Sequence, residues 1–298
     1  MATTPDLSLI ATGFVKWGGQ LILKHLNEVN FKSSGIQVFK NVKAPLPLPK
    51  WNMTGEPRPY REQDDIAGNG FQPKDRVLTV NQSKWDMDID PENFRNKYLN
   101  DGTKTPFAQF MTAEMARNYW SKINDNTLYL GVYNAAGANA ASIATGWGTI
   151  IANEITGLTL TPVVTGAVTA ANAVDSVEAT VENLPASVRK VGGPVYVSWG
   201  TLDKYKKNYR TAYGSSFNKD EFGRFQLDNS KFWLQPESWM NTSQRIIATV
   251  DGNLCVGLDG EKIDVAASVR RNIIEARPML PIGLQIADIE VLSVNDQV

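Results

Sequence analysis

A long extended segment between residues 35 and 90 is the feature that most constrains how this chain can fold. Its prolines exclude helix interiors and direct the preceding residues toward β or polyproline conformation. They are Pro45, Pro47, Pro49, Pro57, Pro59 and Pro73. Two strand-like runs, residues 36–42 and 76–90, bracket the segment. Because it carries no apolar pattern that could form a core alone, it is either disordered or an arm buried against another molecule.

The composition is that of an ordinary globular chain. Its 298 residues are 42% hydrophobic and 20% charged, which allows one large domain or two modest ones. The net charge of -1 argues against a dedicated nucleic-acid binder that relies on phosphate neutralisation, although not against a wall that encloses nucleic acid. A single cysteine, Cys255, excludes an intrachain disulfide and predicts a buried structural thiol.

The N-terminal residues do not have the pattern of a signal peptide. Asp6 stands where a basic region is required, and Lys16 and Lys24 interrupt the apolar run. No stretch approaches the roughly 20 apolar residues of a membrane span. We therefore expect a cytosolic protein with no membrane partner.

Apolar periodicity predicts a mixture of helices and strands without βαβ alternation, which favours the α+β class. Helices are predicted at residues 8–28, 107–123 and 174–184, and from a cap at Thr201 to Gly214, with Tyr213 on the buried stripe. Residues 194–199 read as a buried strand, and residues 158–168 as rich in β-structure. The last third reads as strands at 245–250, 254–258, 263–274 and 282–294.

Three aspartates in the segment KWDMDIDPENF form the sharpest local pattern. Asp86, Asp88 and Asp90 have the spacing that opens a calcium-binding EF-hand loop, but Pro91 and Lys97 stand where that loop needs glycine and glutamate. On a strand, the same spacing places the carboxylates on one face and apolar side chains on the other. We interpret the segment as a half-exposed strand, with a metal site as the alternative. Basic side chains that could pair with the acidic face are Arg58, Arg61, Lys74 and Arg76.

No constellation in the sequence predicts catalysis, and we expect neither enzyme activity nor a cofactor. The only histidine, His25, falls on the predicted N-terminal helix, and no nucleophile motif accompanies it. The sequence has no phosphate loop and no dinucleotide-binding fingerprint. Basic residues cluster on one predicted helix, at Lys204, Lys206, Lys207 and Arg210. Tyr205 and Tyr209 interleave with them, as in single-strand binders, but they lie on the stripe that faces a core, which favours a solvated basic face.

Taken in order, the segments resemble the major capsid proteins of tailed bacteriophages, which have the Hong Kong 97 type fold. The proline-rich segment looks like the family's extended E-loop, and FAQFMTAEMARNYWSKINDNTLYLG is similar to the long spine helix of its peripheral domain. The stretch VDSVEATVENLPASVRKVGGPVYVSWGTLDKYKK looks like the axial domain. The closing segment GEKIDVAASVRRNIIEARPMLPIGLQIADIEVLSV looks like the peripheral sheet and a strand returning to the axial domain.

The resemblance implies an α+β, Hong Kong 97 type major capsid fold in five parts. These are an N-terminal arm (1–34), an extended E-loop hairpin (35–90), a peripheral domain with the spine helix (91–132), an axial domain (133–240), and peripheral-domain strands with the returning C-terminal strand (241–298). It implies a structural protein that self-assembles into hexamers and pentamers of an icosahedral shell around double-stranded DNA. The further partners implied are portal, scaffold and decoration proteins, and the location implied is the virion, assembled in the bacterial host cytoplasm.

The hairpin would make contacts between subunits. A long unpaired strand edge invites aggregation in a monomer, whereas reaching over a neighbour would bury that edge in an interface of about 1,200–2,000 Å² or more. The subunit-interface candidates are Trp51, Arg58, Tyr60 and Arg61 near the tip, and Asp86, Asp88 and Asp90 on the returning strand. Two rival functions stay open: an encapsulin-type nanocompartment shell, and a carbohydrate-acting enzyme or lectin that uses tryptophans and paired carboxylates.

Overall fold

The computed structural model describes most of the chain after residue 30. The described ranges are 31, 33–53, 71–73, 75–90, 107–214, 217–219, 221–259, 264–270 and 273–297. The helix predicted at residues 8–28 lies outside them, as do His25, Arg58, Tyr60, Arg61 and Lys74. Within the described ranges, no helix is long and apolar enough to cross a bilayer.

The described residues form five α-helices. They are α1 (Phe107–Asn126), α2 (Trp147–Thr156), α3 (Ala173–Glu182), α4 (Ala186–Val191) and α5 (Trp199–Tyr213). In α1, Met115, Tyr119 and Ile123 recur at helical spacing and are all buried, which confirms the predicted long helix. The prediction that Thr201 caps α5 is wrong, because the Ser198 hydroxyl accepts a hydrogen bond from the Thr201 backbone N–H at 3.2 Å and is the N-cap.

The described residues also form fifteen short β-strands in five sheets. They are β1 (Gln37–Phe39), β2 (Leu46–Leu48), β3 (Trp51–Met53), β4 (Phe71–Pro73), β5 (Arg76–Leu78), β6 (Met87–Ile89), β7 (Gly193–Val197), β8 (Phe225–Gln226), β9 (Phe232–Pro236), β10 (Ile247–Ala248), β11 (Leu254–Leu258), β12 (Asp264–Arg270), β13 (Ile273–Met279), β14 (Ile282–Ile286) and β15 (Ser293–Val294). Three sheets have the orders β1-β11-β14, β15-β10-β7-β9-β8 and β12-β13-β6, and two are pairs, β2-β5 and β3-β4.

The five-stranded sheet contains the buried strand that the sequence predicts. All five residues of β7 are buried, and β7 runs parallel to β9 and antiparallel to β10. A continuous apolar run is typical of a strand covered on both faces. Helices α3 and α5 contribute to its core, in which Val177 and Leu202 pack with Val195 of β7.

A second core joins α1 and α2 to the three-stranded sheet β1-β11-β14. Within it, the Trp239 ring lies 5.0 Å from the Trp147 ring and 5.9 Å from the Tyr196 ring. These three side chains are fully buried. Because Tyr196 belongs to β7, the aromatic cluster connects this core to the five-stranded sheet.

The structure corrects three further interpretations of the sequence. The strand predicted at residues 36–42 is only β1, and it pairs in parallel with β11 rather than within the hairpin. Residues 158–168 form no strand, and only Val163 makes an isolated bridge, to Asn295. Tyr213, expected on the buried stripe of α5, is 59% exposed because it lies in the last turn, beyond the core that covers Tyr205 and Tyr209.

Candidate assembly interface

Two antiparallel pairs, β2 with β5 and β3 with β4, form the shaft of an extended hairpin. Leu46 pairs with Leu78 and Trp51 with Pro73, so one register continues along the shaft. No other described strand pairs with either edge, and free edges are where a proline such as Pro47 is tolerated. Residues 54–70, which connect β3 to β4, lie outside the described residues.

The returning strand of the hairpin crosses the three-stranded sheet at a pair of glycines. Gly257 of β11 and Gly283 of β14 are direct cross-strand partners. A methyl group on Gly283 would collide with the carbonyl group of Thr79, and one on Gly257 would lie 3.0 Å from the Leu78 side chain. Because neither glycine has a side chain, the chain leaving β5 can lie directly on the sheet.

Charged and polar side chains fasten the shaft to the same body. Arg76 of β5 lies 2.7 Å from the Glu154 carboxylate of α2 and donates to the Gln285 side-chain oxygen at 3.1 Å. Gln285 donates in turn to the carbonyl oxygen of Val77 at 2.9 Å. Burial alone would raise the pKa of the Glu154 carboxyl, but hydrogen bonds from Thr159 and Arg76 outweigh burial, so this pKa is lowered.

The outgoing strand is fastened by a lysine between β2 and β3. The Lys50 ammonium lies 2.8 Å from the Asp288 carboxylate and 2.7 Å from that of Glu290. Partial burial lowers the pKa of Lys50, but the hydrogen bonds to the two carboxylates outweigh this effect, and the pKa is raised. Both strands of the shaft are therefore anchored near the root, which gives the hairpin a defined direction.

The acidic pattern lies on and beside β6, with its apolar residues turned inward. Asp86 and Asp88 are exposed and Asp90 is half-buried. Trp85 and Met87 are partly buried and pack against the core that contains α1. This alternation confirms the half-exposed strand. In the part of the chain that the structure describes, no three potential ligand side chains are grouped as a metal site requires.

The acidic face finds partners within the chain. Asp86 accepts a hydrogen bond from Arg277 of β13 and lies 3.3 Å from the Lys84 ammonium. The hydrogen bond from Arg277 is the main reason that the pKa of Asp86 is lowered. The predicted pairing of Arg76 with this face is wrong, because Arg76 is turned toward α2. Asp88 lies opposite Glu275 in the β6–β13 register.

A cleft of about 650 Å³ opens beside this acidic segment. Its walls are residues 82–86, part of α1 and the loop at residues 133–143. The Trp85 ring stacks on the Tyr119 ring at 5.7 Å, and the Tyr119 hydroxyl lies 2.6 Å from the Ser83 hydroxyl. Burial raises the pKa of Tyr119, so its hydroxyl stays neutral. The cleft therefore has a fixed aromatic wall, formed by Trp85 and Tyr119.

The structure describes only some of the predicted interface residues. Trp51 lies in β3, and Asp86, Asp88 and Asp90 lie at β6, whereas Arg58, Tyr60 and Arg61 fall outside the described residues. Their roles between subunits stay predictions. The root contacts of Lys50, Gly257 and Gly283 were not predicted from the sequence. The sequence did contain a signal for the glycine contacts, because each of the apolar runs LCVGL and PIGLQI has an isolated glycine. An isolated glycine in a strand often marks a place where another backbone segment approaches closely.

The remaining candidate residues have structural positions. Tyr205 and Tyr209 are buried, which confirms that they face a core rather than a ligand. Cys255 is buried in β11, and desolvation raises the pKa of its thiol to about 11, as fits the predicted structural thiol.

Comparison with known proteins identifies the fold. No protein-family model and no curated protein matches the sequence. A chain of the satellite phage P4 procapsid, whose structure includes the size determination (Sid) protein, matches 100% of this chain and 92% of its own length, with a TM-score of 0.61 and 12% identity. A chain of the capsid of Myoviridae phage XM1 matches 90% of this chain and 91% of its own length, with a TM-score of 0.55 and 12% identity.

A shell protein of a different kind also matches. The SrpI encapsulin complex from Synechococcus elongatus matches 100% of this chain and 91% of its own chain, with a TM-score of 0.50 and 12% identity. The chain therefore has the mixed helix and sheet fold of Hong Kong 97 type capsid proteins, and the predicted resemblance to tailed-phage major capsid proteins is confirmed at the level of the fold.

Proposed function

We propose that this chain is the major capsid protein of a tailed bacteriophage, a structural subunit without a catalytic role. The hairpin is the observation that carries the proposal. Its shaft is fixed to the body by the glycine pair and by Arg76 and Lys50, while no other described strand covers its edges. The fold shared with chains of the P4 and XM1 particles supports the same conclusion.

A hairpin with a fixed root and free edges is suited to bind a neighbouring copy. Fixing the root in advance reduces the conformational entropy that is lost when the arm binds. The free edges supply backbone donors and acceptors that a neighbour can pair, and this pairing removes an aggregation hazard. Trp51 and, further toward the tip, Arg58, Tyr60 and Arg61 would then contact the next subunit.

Repetition of this contact around an axis gives closed rings. Heterologous contacts close into rings when the rotation between copies is a simple fraction of a turn, and we propose hexamers and pentamers of an icosahedral shell. The shell would enclose double-stranded DNA through non-specific contacts. Enclosing DNA does not require the strongly basic surface of a dedicated DNA-binding protein, so the net charge of -1 is compatible with this role. It would assemble in the bacterial host cytoplasm and become part of the virion.

Other virion proteins are proposed partners. A portal would occupy one vertex, and scaffold and decoration proteins would bind the inner and outer surfaces. The P4 procapsid structure includes a size determination protein, which supports looking for a comparable partner of this chain.

A second candidate, an encapsulin-type shell, is favoured by the match to the cyanobacterial encapsulin complex. Such a shell would enclose cargo proteins instead of DNA. A carbohydrate-acting enzyme or lectin has less support among the described tryptophans. Sugar stacking needs accessible rings, and Trp147 and Trp239 are fully buried, whereas Trp199 is 55% exposed.

Electron microscopy of the purified full-length protein tests the proposal. We expect shells, tubes or rings in negative stain, and nuclease-protected double-stranded DNA in particles made during infection. A variant in which a glycine-serine linker replaces residues 54–70 should keep the melting temperature of the subunit but not form particles. A protein that stays monomeric at every salt concentration, pH and protein concentration would refute the proposal, and protected cargo protein without DNA would favour the encapsulin-type shell.

A further inference from the structure

One stretch of the chain is almost free of charge and yet partly exposed. Between Asp125 and Asp175 the only charged residue is Glu154, whereas charged residues make up 20% of the whole chain. At an ordinary share of charged residues these 49 positions would carry about ten. Half of the ten exposed large apolar side chains among the described residues also lie here: Leu130, Val132, Tyr133, Leu158 and Val164. A surface without charge that exposes apolar side chains is typical of a protein–protein contact.

The exposed residues fall into two groups, one before α2 and one after it in the chain. We call Leu130, Val132 and Tyr133 the loop patch, and Leu158 and Val164, which both follow α2, the ledge patch. The loop patch is joined to the start of α2, since the Gly146 backbone N–H donates to the carbonyl oxygen of Gly131 at 2.9 Å. Leu158 follows the last residue of α2 by two positions. A helix of ten residues is about 15 Å long, so the loop patch and Leu158 lie at opposite ends of α2.

The ledge patch is held in one conformation at Leu158. Its side chain is 89% exposed and its φ is 59°, a left-handed conformation that is unfavourable for leucine and persists only where neighbouring contacts enforce it. Those contacts include a hydrogen bond from the Thr159 backbone N–H to the Glu154 carbonyl oxygen at 3.0 Å. The Thr159 hydroxyl donates to the Glu154 carboxylate, which is also paired with Arg76. Arg76 thus neutralises Glu154, the single charged residue of the stretch, and the hydrogen bonds from Thr159 to Glu154 hold the backbone at Leu158 in place.

The ledge patch is equally fixed at Val164, whose side chain is 86% exposed. The Val163 backbone N–H donates to the carbonyl oxygen of Val294 at 2.8 Å. The Asp296 carboxylate accepts a hydrogen bond from the Thr165 backbone N–H at 3.2 Å. An exposed aliphatic side chain on an anchored backbone loses little entropy when a partner covers it.

The loop patch is presented by a closed loop. The Val132 backbone N–H donates to the Ala141 carbonyl oxygen at 2.8 Å, and the Asn134 N–H donates to that of Ser142 at 3.0 Å. Tyr133 also lines the cleft described above. The patch therefore combines exposed apolar side chains with an adjacent concave surface, into which the aliphatic side chains of a partner can pack.

We infer that the loop patch of one copy packs against the ledge patch of the next copy in a head-to-tail contact. This inference rests on the proposed function, because it takes assembly of the chain with itself as given. Neither patch carries a net charge, so their contact requires no desolvation of unpaired ions. Both patches expose apolar side chains, which can pack against each other. Two different patches on one copy are also what a heterologous ring contact needs.

Charge substitutions at the two patches test the contact. Leu158→Lys and Val132→Glu each place one charge in it, and each should reduce the assembled fraction about tenfold or more, because a lone charge would be desolvated. The double variant should assemble better than either single variant, because the introduced ammonium and carboxylate can pair. Val191→Lys is the matched control: Val191 is 69% exposed and lies outside the stretch, so its substitution should leave assembly unchanged.

The readouts are the particle fraction in sedimentation and electron microscopy, and the melting temperature of the unassembled subunit, which should stay within about 2 °C since all three sites are exposed. If the wild-type chain forms no particles, the proposed function itself fails. If the wild type assembles and either single variant assembles equally well, or the double variant is no better than the singles, the contact is overturned. Normal assembly with lost binding of another virion protein would assign the patches to that protein and would also overturn the contact.

Discussion

Replacement of Gly283 by alanine should weaken the root of the hairpin. The φ of Gly283 is not in the left-handed region, so alanine is compatible with its backbone. Without the hairpin above it, Gly283→Ala would stabilise the strand by about 0.4–1 kcal/mol through the unfolded state. The structure predicts the opposite sign, because the added methyl would meet the returning strand of the hairpin.

The expected magnitude follows from the contacts. The methyl carbon would lie 2.8 Å from the carbonyl carbon of Thr79 and 3.0 Å from the Cα atom of Val80. The closest contact is with the Thr79 carbonyl oxygen, and non-bonded heavy atoms normally approach to about 3.5 Å, so the backbone must shift by about 1 Å. That shift would strain the two hydrogen bonds, both 3.0 Å long, between the backbones of Asn81 and Ile282. Overpacking and weakened hydrogen bonds together should cost about 2–3 kcal/mol of unfolding free energy.

Gly200→Ala is the matched control. Gly200 lies in the first turn of α5, and the nearest atom to an added methyl is the Ser198 hydroxyl oxygen at 3.9 Å. This substitution should therefore be neutral or stabilise by up to about 1 kcal/mol. Chemical denaturation gives the free energies, and hydrogen exchange at Asn81 and Ile282 reports the root directly. Equal stability of Gly283→Ala and Gly200→Ala, with unchanged exchange at the root, would show that the added methyl does not disturb the hairpin.

Three further predictions concern other parts of the fold. Burial is the main reason that the pKa of the Glu237 carboxyl is raised above 4.5, although hydrogen bonds from Ser34 and Gln235 oppose it. Ionisation of Glu237 should therefore lower the stability of the wild type as the pH rises from about 4.5 through the raised pKa. The difference in melting temperature between Glu237→Gln and the wild type should shift in favour of the variant between pH 4.5 and 7. A difference that stays constant over this range would contradict the prediction. The Cys255 thiol, with its pKa of about 11, should react with a thiol reagent at pH 8 only after unfolding, and rapid labelling of the native protein would show that it is accessible. Asp86→Asn should change the melting temperature by less than about 2 °C, because both the carboxylate and its Arg277 partner are more than half exposed; a larger loss would mean that the pair is coupled to the core.

Local patterns in the sequence predicted the elements whose apolar pattern is regular. Helix α1 was found because its buried residues recur at helical spacing, and strand β7 because a short continuous apolar run is typical of a strand covered on both faces. The half-exposed strand at Asp86 and Asp88 was predicted from its alternation of acidic and apolar residues. In each case the apolar side chains of the pattern also contact the core.

The predictions from the sequence were wrong where contacts with residues far away in the chain determine the local structure. Residues 158–168 are rich in threonine and valine, but they are held by turns at Glu154 and by the Asp296 carboxylate instead of a sheet. Strand β1 pairs with β11, more than 200 residues away, and no local pattern reveals such a partner. The position of the α5 cap was missed by three residues because serine and threonine are both favoured caps.

The hairpin was predicted from the sequence, but its attachment to the body was not. The prolines indicated an arm that needs another molecule. The root depends on Gly257 facing Gly283, which is visible only once the register of β11 and β14 is known. The salt bridge from Arg76 to Glu154 likewise joins segments 78 positions apart.

The proposed assembly requires that the hairpin be buried by the next subunit. A cryo-electron microscopy reconstruction of particles assembled from the full-length protein tests it most directly. We predict a closed shell in which the hairpin shaft, with Trp51 and the residues beyond it, lies against a neighbouring copy around five-fold and six-fold axes. Absence of particles would contradict the proposed assembly, as would particles in which the hairpin is folded onto its own subunit with no neighbour within contact distance.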